Sequence, residues 1–306
     1  MPASCKNFAV VTRHIRNLHG GSQPILAQAN DGLLYVVKFT NNLQGANLPF
    51  NESIGNELYR ACGLQVPSWK PLLVTDSFID RNADCWMHTS EGRLRPDSGL
   101  CFGSLFLGGD GIRLLEILPG TSFKRVRNRG NFWLAWLIDI CAEHADSRQA
   151  IFLDGAMIGL KAYFVDQGHL FGGPKGEQRP RFLASRYLDP RIYQSISSQQ
   201  LLNFQKIVRC LDVDQLWKRI RILPDNWKTA SALSGFAECL GRLSNAILLQ
   251  NILDTMVEAQ RKANECEEIE EPSGRKPKFP ILRPRIQAEG LEHRLVASRA
   301  YRPACA

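Results

Sequence analysis

The sequence predicts an α+β protein of two lobes, the first rich in strands and the second helical. Residues 8–40 alternate apolar and polar positions between turn-forming residues, which is the period of a half-buried strand. From Asn131 onward the apolar positions recur at three- and four-residue spacing instead, the period of a helix face. At 306 residues and 44% hydrophobic content, the chain is long enough to bury two cores. The expected division is a β-rich lobe over 1–125, a helical lobe over 126–270 and a basic tail over 271–306.

The elements follow in order. Phe8–Val11, Pro24–Ala29 and Leu33–Phe39 read as strands, the last two joined by Asn30-Asp31-Gly32, whose residues tolerate positive φ. Residues 51–62 read as a helix with Ile54, Leu58, Ala61 and Cys62 on one side, stopped by Gly63 and Pro67. Val66 to Ile79 reads as further strand, Asn82 to Gly99 as loop, and Phe102–Phe106 and Leu114–Leu118 as strand and turn. Helices are expected at 131–143, 198–211, 213–221 and 225–263.

Composition excludes several classes. The longest apolar run, Phe132 to Ile138, is broken by Asp139 and is too short to span a bilayer. The first residues carry no signal-peptide pattern, so a cytoplasmic protein is expected. Nine scattered cysteines without a C-x-x-C pair fit neither a disulfide framework nor a cysteine zinc site. Cys62, Cys141, Cys210 and Cys239 read as small buried hydrophobes. Of the net charge of +8, residues 271–306 supply +5, with eight basic residues against three acids. That tail reads as a solvated extension, and an acidic or nucleic-acid partner is the alternative.

The chemistry lies elsewhere. Asp146 sits in the polar stretch His144-Ala145-Asp146-Ser147-Arg148-Gln149 after an apolar helix, and Asp166 ends a β-rich run before Gln167-Gly168. One carboxylate that aligns a hydroxyl proton and another that holds magnesium on a phosphate chain are the two parts phosphoryl transfer requires. Lys38, in Tyr35-Val36-Val37-Lys38-Phe39, is placed to neutralise phosphates if it points inward. The next helix offers Glu52 and Glu57 as its partner; five residues apart, they lie on different faces, and Glu52 is preferred. Arg148 is expected either at a phosphate or paired with Asp146. The turn Gly20-Gly21-Ser22 allows close backbone approach to phosphate.

Taken together, these parts resemble the HipA-like kinase family, in particular its small stand-alone bacterial kinase-domain proteins. The resemblance runs from about Gly20 to Trp227. It rests on Gly20-Gly21-Ser22-Gln23-Pro24, Tyr35 to Phe39, Asn41-Asn42-x-Gln44-Gly45, Asn51-Glu52, Gly63-Leu64-x-Val66-Pro67 and Phe102-Gly103-Ser104. Asp146 to Phe152, Val165-Asp166-x-Gly168 and Ile222 to Trp227 complete it.

The resemblance implies a two-lobed kinase-like fold, ATP and Mg²⁺ as cofactors, and transfer to a protein serine or threonine or to a small-molecule hydroxyl. It assigns the ATP lysine to Lys38, its partner to Glu52, the catalytic aspartate to Asp146 and the metal aspartate to Asp166. One departure stands out: Ile151 occupies the position of the second metal ligand, an asparagine in such kinases, and Gln149 is the nearest oxygen donor. His144 also replaces an asparagine before the catalytic aspartate. A pseudokinase or scaffold that binds nucleotide without transfer is therefore the alternative.

Overall fold

The computed structural model describes residues 8–109, 111–176 and 185–270. Five strands close into a barrel: β1 (Ala9–Asn17), β2 (Ile25–Ala29), β3 (Leu34–Lys38), β4 (Trp69–Val74) and β7 (Gly99–Leu105). Their order is β1-β2-β3-β7-β4, and the seam that closes it is a short parallel pairing of Ala9 and Val10 with Leu72 and Leu73. Inside pack Val11, Ile25, Ala27, Val37, Leu72 and Cys101.

Helix α1 (Leu48–Ala61) packs against β4 and β7 of the barrel and against helix 213–221, and 11 of its 14 residues are buried. Pro49 suits its first turn, where the missing N–H has no helical partner to lose. It stops in a Schellman arrangement: Gly63 has φ +79°, its N–H reaches Arg60 O, and Leu64 N–H reaches Tyr59 O at 3.0 Å.

The stretch 66–79, expected as strand, is only half so. After β4, Thr75 caps helix α2 (Asp76–Arg81) by accepting the Phe78 N–H on its hydroxyl. The polar run expected as loop contains a small hairpin, β5 (Met87–Thr89) with β6 (Gly92–Leu94).

Beyond the barrel, β8 (Arg113–Leu115), β9 (Gln149–Asp154) and β10 (Lys161–Val165) form an antiparallel sheet in the order β10-β9-β8. Helix α3 (Asn131–Cys141) lies between β8 and β9 in the chain and is buried almost throughout. Helices α4 (Ser198–Arg209) and α5 (Val213–Arg221) follow. The expected helix over 225–263 is two: α6 (Ala230–Ser244) and α7 (Ala246–Glu270). Asn245 lies between them, and its side chain accepts the Leu248 N–H at the start of α7.

The large core joins Phe50, Ile54 and Leu58 of α1 to Phe132 and Trp136 of α3, Phe164 of β10 and Phe236 of α6. The fold is thus α+β, as expected. Cys62, Cys141 and Cys239 are buried, but Cys210 is exposed, because it falls past the last turn of α4. Burial pushes the Cys62 and Cys141 thiols up to about 12, which keeps them inert. None of the described helices is long and apolar enough to cross a membrane. The expected tail, 271–306, lies outside the described residues.

Candidate active site

Lys38 ends β3 with its side chain turned inward, and its ammonium is gripped from two sides. The Glu52 carboxylate on α1 forms one ion pair, and Asp166 Oδ1 forms the other at 2.8 Å. Glu57 lies on the other side of α1 and pairs with Arg60 at 3.0 Å, so it takes no part. Burial works against the Lys38 charge, but the Asp166 and Glu52 carboxylates outweigh it and raise the ammonium above the ordinary lysine range. Burial likewise opposes ionisation of Asp166, yet Lys38 holds that carboxyl well below the usual range. Glu52 is shifted the other way: its burial, reinforced by Asp166, exceeds the pull of Lys38. The trio holds two carboxylates and one ammonium, an excess of negative charge suited to a cation.

Asp166 follows β10 directly and has φ +62°, left-handed backbone that few non-glycine residues adopt. That turn leaves its side chain 23% exposed while Glu52 is 2% exposed, so Asp166 faces the open side of the trio. Strain of this kind persists only where its surroundings enforce it. Here α1 does so. Glu52 accepts the N–H groups of Gln167 and Gly168, and Asn51 Nδ2 reaches the carbonyl oxygens of Gly168 at 2.9 Å, Leu170 at 2.7 Å and Gly173 at 3.2 Å. Gly168 permits the approach, since a Cβ there would lie 3.1 Å from Glu52 Oε1.

Asp146 occupies the loop between α3 and β9, half-buried, its Oδ1 accepting the Ser147 N–H at 2.7 Å. His144 lies between this loop and Asp166, its Nδ1 2.5 Å from Asp146 O and its Nε2 3.4 Å from Asp166 O, and a neutral ring donates to only one of these two carbonyls. Burial, then the nearby Arg148 charge, lowers the His144 ring to about 4, so it is neutral in this position. A backbone tie runs from the Ala145 N–H to His169 O at 2.9 Å.

Arg148 corrects the sequence reading. Expected at a phosphate or against Asp146, it is 2% exposed and makes a two-point pair with Asp139 of α3, Nε to Oδ2 at 2.8 Å and Nη2 to Oδ1 at 2.7 Å. Its remaining nitrogen donates to Val165 O at 2.9 Å, just before Asp166. Tyr59 completes the set, its hydroxyl donating to Asp139 Oδ1 at 2.5 Å beneath the guanidinium. The reason is geometric. The side chains of Arg148 and Ala150 turn into the core, whereas Gln149, between them, turns out to solvent.

Asp139, Tyr59, Asn51 and His144 were not singled out as site residues from sequence. Asp139 left one signal, a charge inside an otherwise apolar helix; Asn51 and His144 appeared in the motifs without a role.

Gln149 and Ile151 both belong to β9, opposite Val165 and Tyr163. Gln149 is exposed beside the strand residue that precedes Asp166. The turn Gly20–Ser22 joins β1 to β2, and Ser22 O accepts Asn42 Nδ2 at 2.7 Å. A Cβ at Gly21 would lie 2.7 Å from Gln44 Nε2, so this turn packs against the segment that follows Lys38. Among the described residues no cluster of three or more His, Cys, Asp or Glu could hold a metal by itself. Asp166, paired with Lys38 through Oδ1 and partly open, fits magnesium carried in on phosphate, an ion that takes one or two carboxylates and fills its remaining positions with phosphate oxygens and water.

Comparison with solved structures gives kinases. The Golgi casein kinase with Mn/ADP bound aligns over 81% of this chain and 73% of its own, at 12% identity and TM-score 0.44. The Golgi casein kinase in a second crystal structure aligns over 81% and 72%, at 13% identity and TM-score 0.45. The Helicobacter pylori proinflammatory kinase CtkA aligns over 84% and 97%, at 11% identity and TM-score 0.46. No protein-family model matches the chain, and no curated protein matches it in sequence. The chemistry of the site is accordingly read from its own residues.

Proposed function

We infer that this protein is an ATP- and Mg²⁺-dependent kinase of HipA-like type that transfers the γ-phosphate to a hydroxyl, that of a protein serine or threonine. The observation that carries this reading is Lys38 held between Glu52 and Asp166, with His144 between the Asp146 loop and Asp166. In this reading residues 1–125 form the nucleotide lobe and 126–270 the lobe that carries the aspartates. In the same reading the basic residues of 271–306 serve an acidic or nucleic-acid partner, and the protein works in the cytoplasm.

Each side chain has a task. Lys38 binds the α- and β-phosphates, and Glu52 keeps its ammonium aimed at them. The turn Gly20–Ser22 brings backbone N–H groups against the phosphate chain. Asp166 would hold the magnesium ion, which supplies charge neutralisation at the phosphates when bound. Asp146 accepts the proton of the attacking hydroxyl or aligns it. Arg148 does not touch substrate; paired with Asp139, it positions the strand end before Asp166.

Ile151 supports a second reading, a nucleotide-binding protein that does not transfer, because an isoleucine offers no oxygen to a second metal ion. Nucleotide binding in the presence of Mg²⁺, followed by thermal stabilisation and by labelled phosphate transfer, separates the two. Stabilisation that Lys38→Met removes, together with transfer that Asp146→Asn removes, supports the kinase. Stabilisation without transfer supports the second reading, and neither signal overturns both.

A further inference from the structure

Two half-buried side chains, one on the segment after Lys38 and one on the segment after Asp166, meet and leave polar atoms without partners among the described residues. Gln44 Nε2 lies 3.2 Å from His169 Nε2. Gln44 Oε1 and His169 Nδ1 are both buried atoms, and neither has a hydrogen-bond partner among the described residues. A buried polar atom left unpaired costs about 1–3 kcal/mol, so two such atoms on one contacting pair of side chains point to a ligand.

The chemistry of the pair narrows what that ligand is. If the Gln44 amide N–H donates to His169 Nε2, the imidazole proton is on Nδ1, and the unpaired atoms are an N–H donor and a carbonyl acceptor. If the amide is turned over, Nε2–H donates to the carbonyl, and the unpaired atoms are an imidazole acceptor and an amide donor. Either way one donor and one acceptor remain. A bare anion offers acceptors only. A phosphate group with hydrated magnesium offers both, phosphate oxygens to accept and metal-bound waters to donate.

Position narrows it further. Gln44 packs against the Gly20–Ser22 turn, as the 2.7 Å approach to a Cβ at Gly21 records. His169 O accepts the N–H of Ala145, the neighbour of Asp146. The pair therefore spans from the turn assigned to phosphate to the loop where the acceptor hydroxyl and the terminal phosphate would meet.

We propose that Gln44 and His169 form a polar clamp that recognises the hydrated, magnesium-bearing terminal phosphate of a nucleoside triphosphate, which makes the site selective for triphosphate over diphosphate. This rests on the nucleotide reading of the site. In the bound state the Gln44–His169 contact opens and each side chain turns its free atom to the ligand.

The test is calorimetric binding of Mg·ATP and Mg·ADP to the full chain, for wild type, Gln44→Ala, Gln44→Glu, His169→Ala and Lys38→Met. The clamp predicts that Gln44→Ala and His169→Ala each weaken Mg·ATP about tenfold or more, the worth of a hydrogen bond to a charged group, while Mg·ADP changes less than about twofold. Gln44→Glu, of the same shape but with a carboxylate against phosphate, should weaken Mg·ATP more than Gln44→Ala. Circular dichroism and melting temperature confirm that each variant is folded, and Gln44→Glu keeps the test open if an alanine variant is not. Equal losses for both nucleotides, or none, overturn the clamp while the nucleotide reading stands, provided that Lys38→Met loses binding. No binding of either nucleotide by wild type overturns both.

Discussion

Arg148 and Asp139 meet in a two-point ion pair with side chains 1% and 0% exposed, and this pair is the buried support of Asp166. The guanidinium also holds Val165 O, so the strand end that aims Asp166 is fixed from α3.

Breaking this pair from one side strands a charge in the core. Arg148→Met or Asp139→Leu alone should cost about 3–5 kcal/mol of folding stability, and the double variant clearly less than their sum. Denaturant unfolding of the four proteins checks it; simple additivity would show that the pair is not coupled.

Lys38→Met tests the electrostatics of the trio without nucleotide. With the ammonium gone, Glu52 and Asp166 are two buried carboxylates without a cation, and both shift upward in the fold. A carboxyl raised in the folded state lowers stability above its unfolded value, and that penalty lifts as the pH falls through the folded value. The deficit of Lys38→Met against wild type should therefore shrink between pH 8 and pH 4.5. A deficit independent of pH would mean that Lys38 contributes packing alone.

His144 predicts an acid limit of its own. The ring stays neutral in the fold down to about 4, whereas in the unfolded chain it takes a proton near its ordinary value of 6.5. Between these the unfolded state binds more protons, so stability falls as the pH drops from 6.5 to 4, by up to about 3 kcal/mol, with no penalty above 6.5. Arg148, Asp139 and His169 act on the ring by charge, and the backbones of Asp146 and Asp166 lie against its two nitrogens. His144→Asn should flatten that part of the stability profile; an unchanged slope would assign it to other groups.

Gly55→Ala sets helix propensity against packing. Alanine favours the α1 helix by about 1 kcal/mol. Its Cβ would lie 2.5 Å from Leu170 Cδ1 and 2.6 Å from Gln167 Cβ, in the segment that follows Asp166. Net destabilisation of about 1–3 kcal/mol is expected, with weakened nucleotide binding. A gain in melting temperature would show that the Asp166 segment yields freely.

What the sequence disclosed and what it hid divide along physical lines. The contact of Lys38 with Glu52 and Asp166 was legible because phosphate chemistry calls for these residue types in this chain order, and the helix period separated Glu52 from Glu57. Arg148 was misassigned because a polar loop gives no sign of which side chain turns inward; only the strand that begins at Gln149 decides that. The barrel seam between β1 and β4 was hidden for a related reason, since a two-residue parallel pairing leaves no periodic trace. At Thr75 a strand gives way to a helix without glycine or proline to mark the change, so the run to Ile79 read as strand. Asn245 divided a helical run that apolar spacing alone reads as continuous.

The most direct test of the central claim is transfer of labelled γ-phosphate from ATP in Mg²⁺ by the full chain, with Asp146→Asn and Asp166→Ala beside wild type. The account predicts transfer by wild type, lost in both variants, with Mg·ATP binding kept in Asp146→Asn and weakened in Asp166→Ala. Transfer that persists in both variants, or a wild type that neither transfers phosphate nor gains stability from nucleotide, would contradict it.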